Sequence, residues 1–147
     1  MDIREFKKSD YDAAYALWTA TAGLGLSEAD SRENIGLFLE RNAGLSLVAC
    51  ENQTLAATIL CGHDGRRGMI YHLAVAPAHQ RQGLGKLLAT RALDGLSAAG
   101  IGRCHMLVYQ DNDDARLFWQ KVGAYRRMEL ALMSVSLPLS VAEAAEP

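Results

Sequence analysis

Two glycines with basic neighbours form the part of this sequence best suited to chemistry. Gly83 and Gly85 follow an apolar run, residues 69–75, that indicates a buried strand, and they precede leucines spaced as on a helix. A turn between a strand and a helix presents unpaired N–H groups and the positive end of the helix dipole, which suit a phosphate group. Arg81 and Lys86 add positive charge nearby. The spacing alone is equally consistent with a plain turn before a helix.

A second segment strengthens the phosphate interpretation. Gln80, Gly83 and Gly85 match a Q/R-x-x-G-x-G/A run, and residues 112–125 read Asn-Asp-Asp-Ala-Arg-Leu-Phe-Trp-Gln-Lys-Val-Gly-Ala-Tyr. The two segments resemble motifs A and B of the GNAT N-acetyltransferases, and the pair is far more specific than either motif alone. The resemblance extends from about residue 3 to residue 137, and it is closest to small single-domain bacterial members of that superfamily.

The resemblance implies a fold, an acetyl donor and a set of site residues. The implied fold is a mixed α/β one: a central, mostly antiparallel sheet with a parallel β-α-β core, flanked by about four helices. The implied donor is acetyl-CoA, with CoA as product, and the acceptor is a primary amine on a small molecule or a protein. A homodimer is a further option, because many relatives are dimers. The positions that match the family's cofactor-binding residues are Leu73, Ala74, Val75, Gln80, Arg81, Gln82, Gly83, Leu84, Gly85, Lys86, Asn112, Ala115, Phe118 and Trp119. For Asn112, a plain helix-capping role is the alternative.

The general acid is the first open question in the implied reaction. In that reaction a neutral amine attacks the thioester directly while both are bound, so positioning carries much of the rate. The family frequently places a tyrosine four residues before the motif-B glycine to protonate the thiolate, but this chain has Trp119 there. An indole N–H is no proton source near neutral pH. Tyr109 or Tyr125 is then a substitute acid, or the thiolate leaves without help.

The general base is not marked by any motif. If side chains alternate along the 69–75 strand, Tyr71 shares the face of Met69 and Leu73, and His72 shares the opposite face with residues 70 and 74. Matching to the family puts Tyr71 on the reaction side, where it would orient a water or the amine. His72 is of the residue type that ordinarily titrates near neutral pH, but it is expected on the wrong face. A chain of water molecules is an equal alternative.

Two other functions are open at this point. A catalytically weak acyl-CoA-binding or regulatory module would account for Trp119 and for the lack of an acidic base. Dinucleotide binding fits poorly, because only one β-α-β unit is indicated and the full G-x-G-x-x-G run is absent.

Length and composition limit the remaining possibilities. The 147 residues suit one domain, expected over 1–137 with a tail over 138–147. Fifteen basic residues nearly balance 17 acidic ones, which gives no electrostatic reason to expect nucleic acid or a membrane surface as partner. The charged N-terminus and the absence of a long apolar stretch indicate a cytoplasmic protein. Three cysteines without a C-x-x-C pair, and four histidines without ligand spacing, predict buried thiols and no metal.

The elements that position these residues follow from hydrophobic periodicity and turn residues. The pattern predicts a helix after Ser9, a mobile loop over 19–27, a helix after motif A that ends at Gly100, and a helix in motif B that ends at Gly123. The predicted strands cover 2–6, 45–50, 54–62, 69–75, 104–109 and 125–136, and the predicted helices after the first cover 28–41, 83–99 and 113–122.

Overall fold

The computed structural model describes residues 1–139 of the chain. Residues 140–147, most of the predicted tail over 138–147, lie outside this range. The described part contains five strands and four helices: β1 (Asp2–Glu5), α1 (Tyr11–Ala20), α2 (Arg32–Arg41), β2 (Leu47–Glu51), β3 (Thr54–His63), β4 (Gly68–Val75), α3 (Leu84–Ala98), β5 (Cys104–Met106) and α4 (Asp113–Val122). Short 3-10 turns precede α1, α2 and α3, at Lys8–Asp10, Glu28–Asp30 and Pro77–His79.

One five-stranded sheet has the order β1-β2-β3-β4-β5. The first three pairs of strands are antiparallel, whereas β4 and β5 are parallel and are joined by α3. A helical crossover is what parallel pairing of consecutive strands requires. The predicted mixed sheet with its parallel β-α-β core and four helices is therefore confirmed. No helix within residues 1–139 is long and apolar enough to cross a bilayer.

The sheet separates two hydrophobic clusters. On the face covered by α3 and α4, the side chains of Leu88 and Ile59 are fully buried. On the face covered by α1 and α2, Trp18 and Phe6 are buried to the same degree. Burying a side chain of this size stabilises a fold by about 1.5–3 kcal/mol. The first cluster supports the start of α3, and the second supports the middle of β4.

The terminal strand predicted over 125–136 is wrong, because the structure assigns no strand to these residues. Its apolar side chains are largely exposed, including Met128 at 74%, Leu132 at 74% and Met133 at 89%. A strand forms only where a neighbouring strand supplies hydrogen bonds. The pairing of β5 ends at Met106, not at residue 109 as predicted, so β5 offers a very short edge.

Candidate active site

The turn before α3 contains two residues in the left-handed backbone conformation. Arg81 and Gly83 both have positive φ, 62° and 80°, and turns of this kind form concave nests of N–H groups. The side chain of Gln80 donates from Nε2 to the carbonyl oxygen of Val75 at 3.0 Å, which ties the turn to the end of β4. A Cβ added to Gly83 would meet no atom of residues 1–139 within 4 Å, so the space above the turn is open in this part of the chain.

Six consecutive N–H groups of this turn have no partner among residues 1–139. After Gln80, the next backbone N–H that donates to a carbonyl is that of Leu87, which bonds Gly83 at 3.0 Å. The N–H groups of residues 81–86 are therefore available to an anion. In the described part of the chain, no side chain caps the start of α3, and the first turn of α3 contains no acidic residue, so no negative charge in that turn opposes anion binding by the helix dipole. Leu84 contributes only its main chain, since its side chain is buried in the core.

The two parallel strands separate beyond their first three residue pairs. Their pairing runs from Gly68–Cys104 to Ile70–Met106 and then stops, while β4 stays paired with β3 as far as Val75. A cleft of about 870 Å³ lies where the strands part. An extended ligand chain has room there to take the place of the missing strand pairing.

The three β4 residues predicted to bind a cofactor occupy different positions around this cleft. Leu73 lines the cleft, whereas Ala74 and Val75 do not. Leu73 and Val75 pack their side chains against the α3–α4 cluster, and Ala74 is buried in the other cluster. Val75 lies beside the turn before α3, because a Cβ added to Gly85 would be 3.6 Å from the Cγ2 atom of Val75.

A β-bulge in β4 interrupts the regular alternation of side chains. Between Tyr71 and Ala74, the two residues His72 and Leu73 together oppose a single residue of β3, Ile59. His72 has a φ of 50°. This left-handed conformation costs a residue with a side chain roughly 1–3 kcal/mol, so the surrounding structure must hold it in place.

The bulge overturns the predicted distribution of faces. Tyr71 and His72 both point to the α1–α2 side: Tyr71 packs edge-on against Phe38, with ring centroids 6.0 Å apart, and His72 packs against Trp18 at 4.7 Å. Leu73 points to the opposite side. The prediction that His72 faces away from Tyr71 is therefore wrong, because the extra residue turns His72 to the same side.

Both predicted catalytic tyrosines line the cleft. Tyr71 is 37% exposed, and partial burial raises the pKa of its phenol above the ordinary value. Tyr109 is 59% exposed, and its hydroxyl lies directly against Gly25 of the loop after α1. Tyr125 is exposed and does not line this cleft. The loop over 21–25 thus lines the cleft together with Tyr109.

The motif-B residues sit on α4 or at its start. The side chain of Asn112 caps the helix by accepting from the N–H of Ala115 at 3.1 Å, which is the capping role left open above. Its amide group also contacts Gly23 in the 21–25 loop. Trp119 is 8% exposed and lines the cleft with Ala115, and Phe118 packs on the Gly85 side of α3. The structure thus brings the predicted α4 residues to the cleft or to the turn.

Asp30 is the residue at this site that sequence reasoning missed. It belongs to the 3-10 turn before α2, where its Oδ2 atom accepts from the N–H of Ser27 at 3.0 Å. Its Oδ1 atom lies 2.7 Å from Nε2 of His72. The Ser-x-x-Asp spacing marks a capping box in the sequence, but nothing in that pattern indicates a histidine partner.

Metal ligands are not grouped in the described part of the chain. Among residues 1–139, no three His, Cys, Asp or Glu side chains lie where they could hold one ion. That the reaction proceeds without metal stays a prediction.

Comparisons with known proteins identify the class. The family model for the acetyltransferase (GNAT) family matches residues 11–124. An acetyltransferase of Pectobacterium atrosepticum is 31% identical over 129 residues, which cover 88% of this chain and 86% of the relative. Among solved structures, an aminoglycoside 6'-N-acetyltransferase of Acinetobacter haemolyticus has a TM-score of 0.75 at 17% identity, over 93% of this chain and 99% of that one. A PaiA N-acetyltransferase of Thermoplasma acidophilum, in complex with coenzyme A, has a TM-score of 0.70 at 20% identity, over 82% and 86%.

The fold and these matches define an acetyltransferase. The chain belongs to the GNAT family, and as a member it is an acetyl-CoA-dependent enzyme. The residues present fit the diphosphate of that donor: within residues 1–139, six N–H groups are free at residues 81–86 and the space over Gly83 is open.

Proposed function

We propose that this enzyme transfers the acetyl group of acetyl-CoA to a primary amine of a small molecule or a peptide. The amine attacks directly while both substrates are bound. The observation that carries the proposal is the row of free N–H groups at residues 81–86, next to a cleft between separated strands. Such a row binds phosphate oxygens, and the cleft accepts the remainder of an extended acyl chain.

The proposed cofactor contacts follow from these positions. The main chain of residues 81–86 holds the diphosphate, with Arg81, Gln82 and Lys86 exposed beside it. The main chain of residues 73–75 lies along the acyl-bearing arm. Ala115, Phe118 and Trp119 form the wall that α4 contributes. Acetyl-CoA supplies the thioester carbonyl group that is transferred, and holding it next to an amine accounts for much of the rate.

Tyr71 and Tyr109 are the proposed proton-handling phenols. Both line the cleft, and burial keeps the Tyr71 phenol protonated by raising its pKa. A protonated phenol donates a hydrogen bond to a departing thiolate or orients an incoming amine. Trp119 occupies the position of the family's usual acid but donates only an indole hydrogen bond.

The acceptor enters, in this proposal, through the part of the cleft bounded by the 21–25 loop and the two tyrosines. The related structure of an aminoglycoside 6'-N-acetyltransferase supports an amine as acceptor class.

A cytoplasmic location and a homodimer belong to the same proposal. The exposed apolar residues after Tyr125 are the surface that a second copy would cover, and light scattering after size-exclusion chromatography tests this.

Release of free thiol from acetyl-CoA, measured across a panel of small amines and peptides, tests the proposed function. We expect thiol release that depends on one class of amine, with an acetylated product detected by mass spectrometry. Calorimetric titration with CoA runs in parallel. If neither CoA nor acetyl-CoA binds, the phosphate site and the function are both wrong.

The alternative is a catalytically weak acyl-CoA-binding module. Trp119, in place of an acid, is the observation that favours it. Binding of CoA together with no turnover of any amine in the panel would support this alternative over the transferase.

A further inference from the structure

A buried polar network surrounds the bulge of β4. The carbonyl oxygen of His72 accepts from the hydroxyl of Thr58 at 2.9 Å, and that hydroxyl accepts from the indole N–H of Trp18 at 2.8 Å. Trp18 and Thr58 are completely buried. These two hydrogen bonds, together with the Trp18 ring against the imidazole, hold His72 in its left-handed conformation.

Asp30 fixes the orientation of the imidazole ring. Its Oδ1 atom lies 2.7 Å from Nε2 of His72, and each side chain of the pair is only 12% exposed. The carboxylate is itself held by the N–H of Ser27, and the carbonyl oxygen of Asp30 accepts from the hydroxyl of Tyr11 at 2.7 Å. A carboxylate accepts hydrogen bonds and does not donate them when ionised. Nε2 of a neutral His72 therefore carries the proton.

The second ring nitrogen of His72 is then a free base. With the proton on Nε2, the lone pair resides on Nδ1. Nδ1 has no hydrogen-bond partner among residues 1–139, and it is not sealed from solvent, unlike the Nδ1 atom of His79. His72 lines the cleft at the point where β4 and β5 part, beside Tyr71. His72 thus combines an unpartnered ring nitrogen, among residues 1–139, with a place in the lining of the space assigned to the acceptor.

We propose that His72 is the general base that deprotonates the acceptor ammonium, and that Asp30 positions its imidazole ring. This proposal rests on the proposed acetyl transfer and deepens it. Asp30 acts through His72, so it is a positioning residue, whereas His72 touches the acceptor. Regular alternation of side chains along β4 would have placed the His72 side chain on the face of the strand opposite to Tyr71.

The proton balance of the step is complete. The ammonium group of the acceptor gives one proton to Nδ1 of His72, which becomes an imidazolium stabilised by the Asp30 carboxylate. The amine nitrogen then forms a bond to the carbonyl carbon of the thioester as the carbon–sulfur bond breaks. Of the two remaining N–H protons, one stays in the amide product and the other reaches the departing thiolate. The imidazolium returns its proton to solvent.

The titratable groups around His72 come from each element packed on it. Asp30 lies on the 3-10 turn, Tyr11 of α1 touches the Asp30 carbonyl, and Tyr71 precedes His72 on β4. Trp18 and Thr58 are neutral. The pair therefore contains one anion, and the positive charge that forms on the ring has a partner.

The kinetic test compares two variants of the pair with a matched control. We expect His72→Gln to lower kcat by about 10²–10⁴-fold and to remove the acidic limb of the pH profile of kcat/KM. Asp30→Asn should also lower kcat. Neither variant should change the dissociation constant for CoA. The control is His79→Gln, because His79 forms a similar pair with Glu51 at 2.6 Å but does not line the cleft.

Nitrogen chemical shifts in the unmodified protein supply a readout that is independent of turnover and of variant folding. At a pH where His72 is neutral, we expect its proton on Nε2. A proton on Nδ1 overturns the proposal. Amine turnover with an unchanged pH profile in His72→Gln also overturns it while leaving the acetyltransferase function intact. Failure of the unmodified protein to bind CoA instead counts against the function itself.

Discussion

A single added charge at Gly83 tests whether the turn before α3 binds a diphosphate. Gly83→Asp places a carboxylate where a Cβ has no neighbour within 4 Å, so the substitution introduces charge without a clash. Gly83→Asn is the matched neutral variant, because Asn has the same size and tolerates a positive φ better than most residues. Both variants share the backbone strain, and only one carries the charge.

The expected size of the effect follows from Coulomb's law. Two unit charges about 5 Å apart, in an effective dielectric of about 20, repel by roughly 3 kcal/mol. That energy corresponds to a dissociation constant about 10²-fold weaker. The Asn variant should lose much less, since it adds strain but no repulsion.

Calorimetry with CoA, and with pantetheine as a ligand that lacks phosphate, measures the difference. We expect the Asp variant to lose CoA affinity relative to the Asn variant, and pantetheine to bind both alike. Gly100→Asp serves as a control at the other end of α3, where φ is also positive and the space is also open. Equal CoA affinities for Gly83→Asp and Gly83→Asn would show that no phosphate lies at this turn.

Three further predictions concern stability and the missing acid. Leu88→Ala should lower the free energy of unfolding by about 2–5 kcal/mol in urea titrations, because the side chain is fully buried under the turn; a loss below that range would mean that α3 packs loosely. Burial raises the pKa of Cys61 to about 12 and that of Cys104 to about 11, above the ordinary thiol value of about 8.5. Thiols in the unfolded chain ionise at lower pH than the buried thiols, so the free energy of unfolding should fall as pH rises from about 8.5 towards 11–12. Cys61→Ala should flatten this fall. An unchanged fall in that variant would mean that the Cys61 thiol is exposed in solution. Trp119→Tyr should retain the fold and CoA affinity and raise kcat by supplying a phenol; a lower kcat with an unchanged melting temperature would speak against Trp119 occupying the acid position.

The parts of the fold specified by local sequence were predictable. Helix α4 spans Asp113–Val122 as expected, because Asn112 caps its start and Gly123 ends it. Helix α3 differs from the expected range by one residue at each end, since its apolar spacing is regular. The turn before α3 comes directly at the start of this apolar spacing, so its position was predictable from the sequence.

The parts that depend on distant residues were not predictable. The bulge at His72 exists because β4 pairs with β3 in a shifted register, and no local pattern encodes that shift. Asp30 reaches His72 across 42 positions of sequence. The segment after Tyr125 alternates like a strand, yet pairing needs an edge that the short β5 does not offer. Hydrophobic periodicity indicates which secondary structure a segment is able to form, whereas pairing and packing with other segments determine which one it forms.

The three-residue contact between β4 and β5 has a consequence for the energetics of the whole molecule. Residues 101–139 are anchored to the sheet through those few pairs and through the packing of α4, so opening this region costs less than global unfolding. A ligand that contacts the edges of both β4 and β5 would supply contacts between the two strands where their own pairing stops. Binding of such a ligand should therefore also stabilise this region against local opening. Hydrogen exchange of the backbone amides in residues 104–112 should slow on binding, and more so for a ligand of higher affinity.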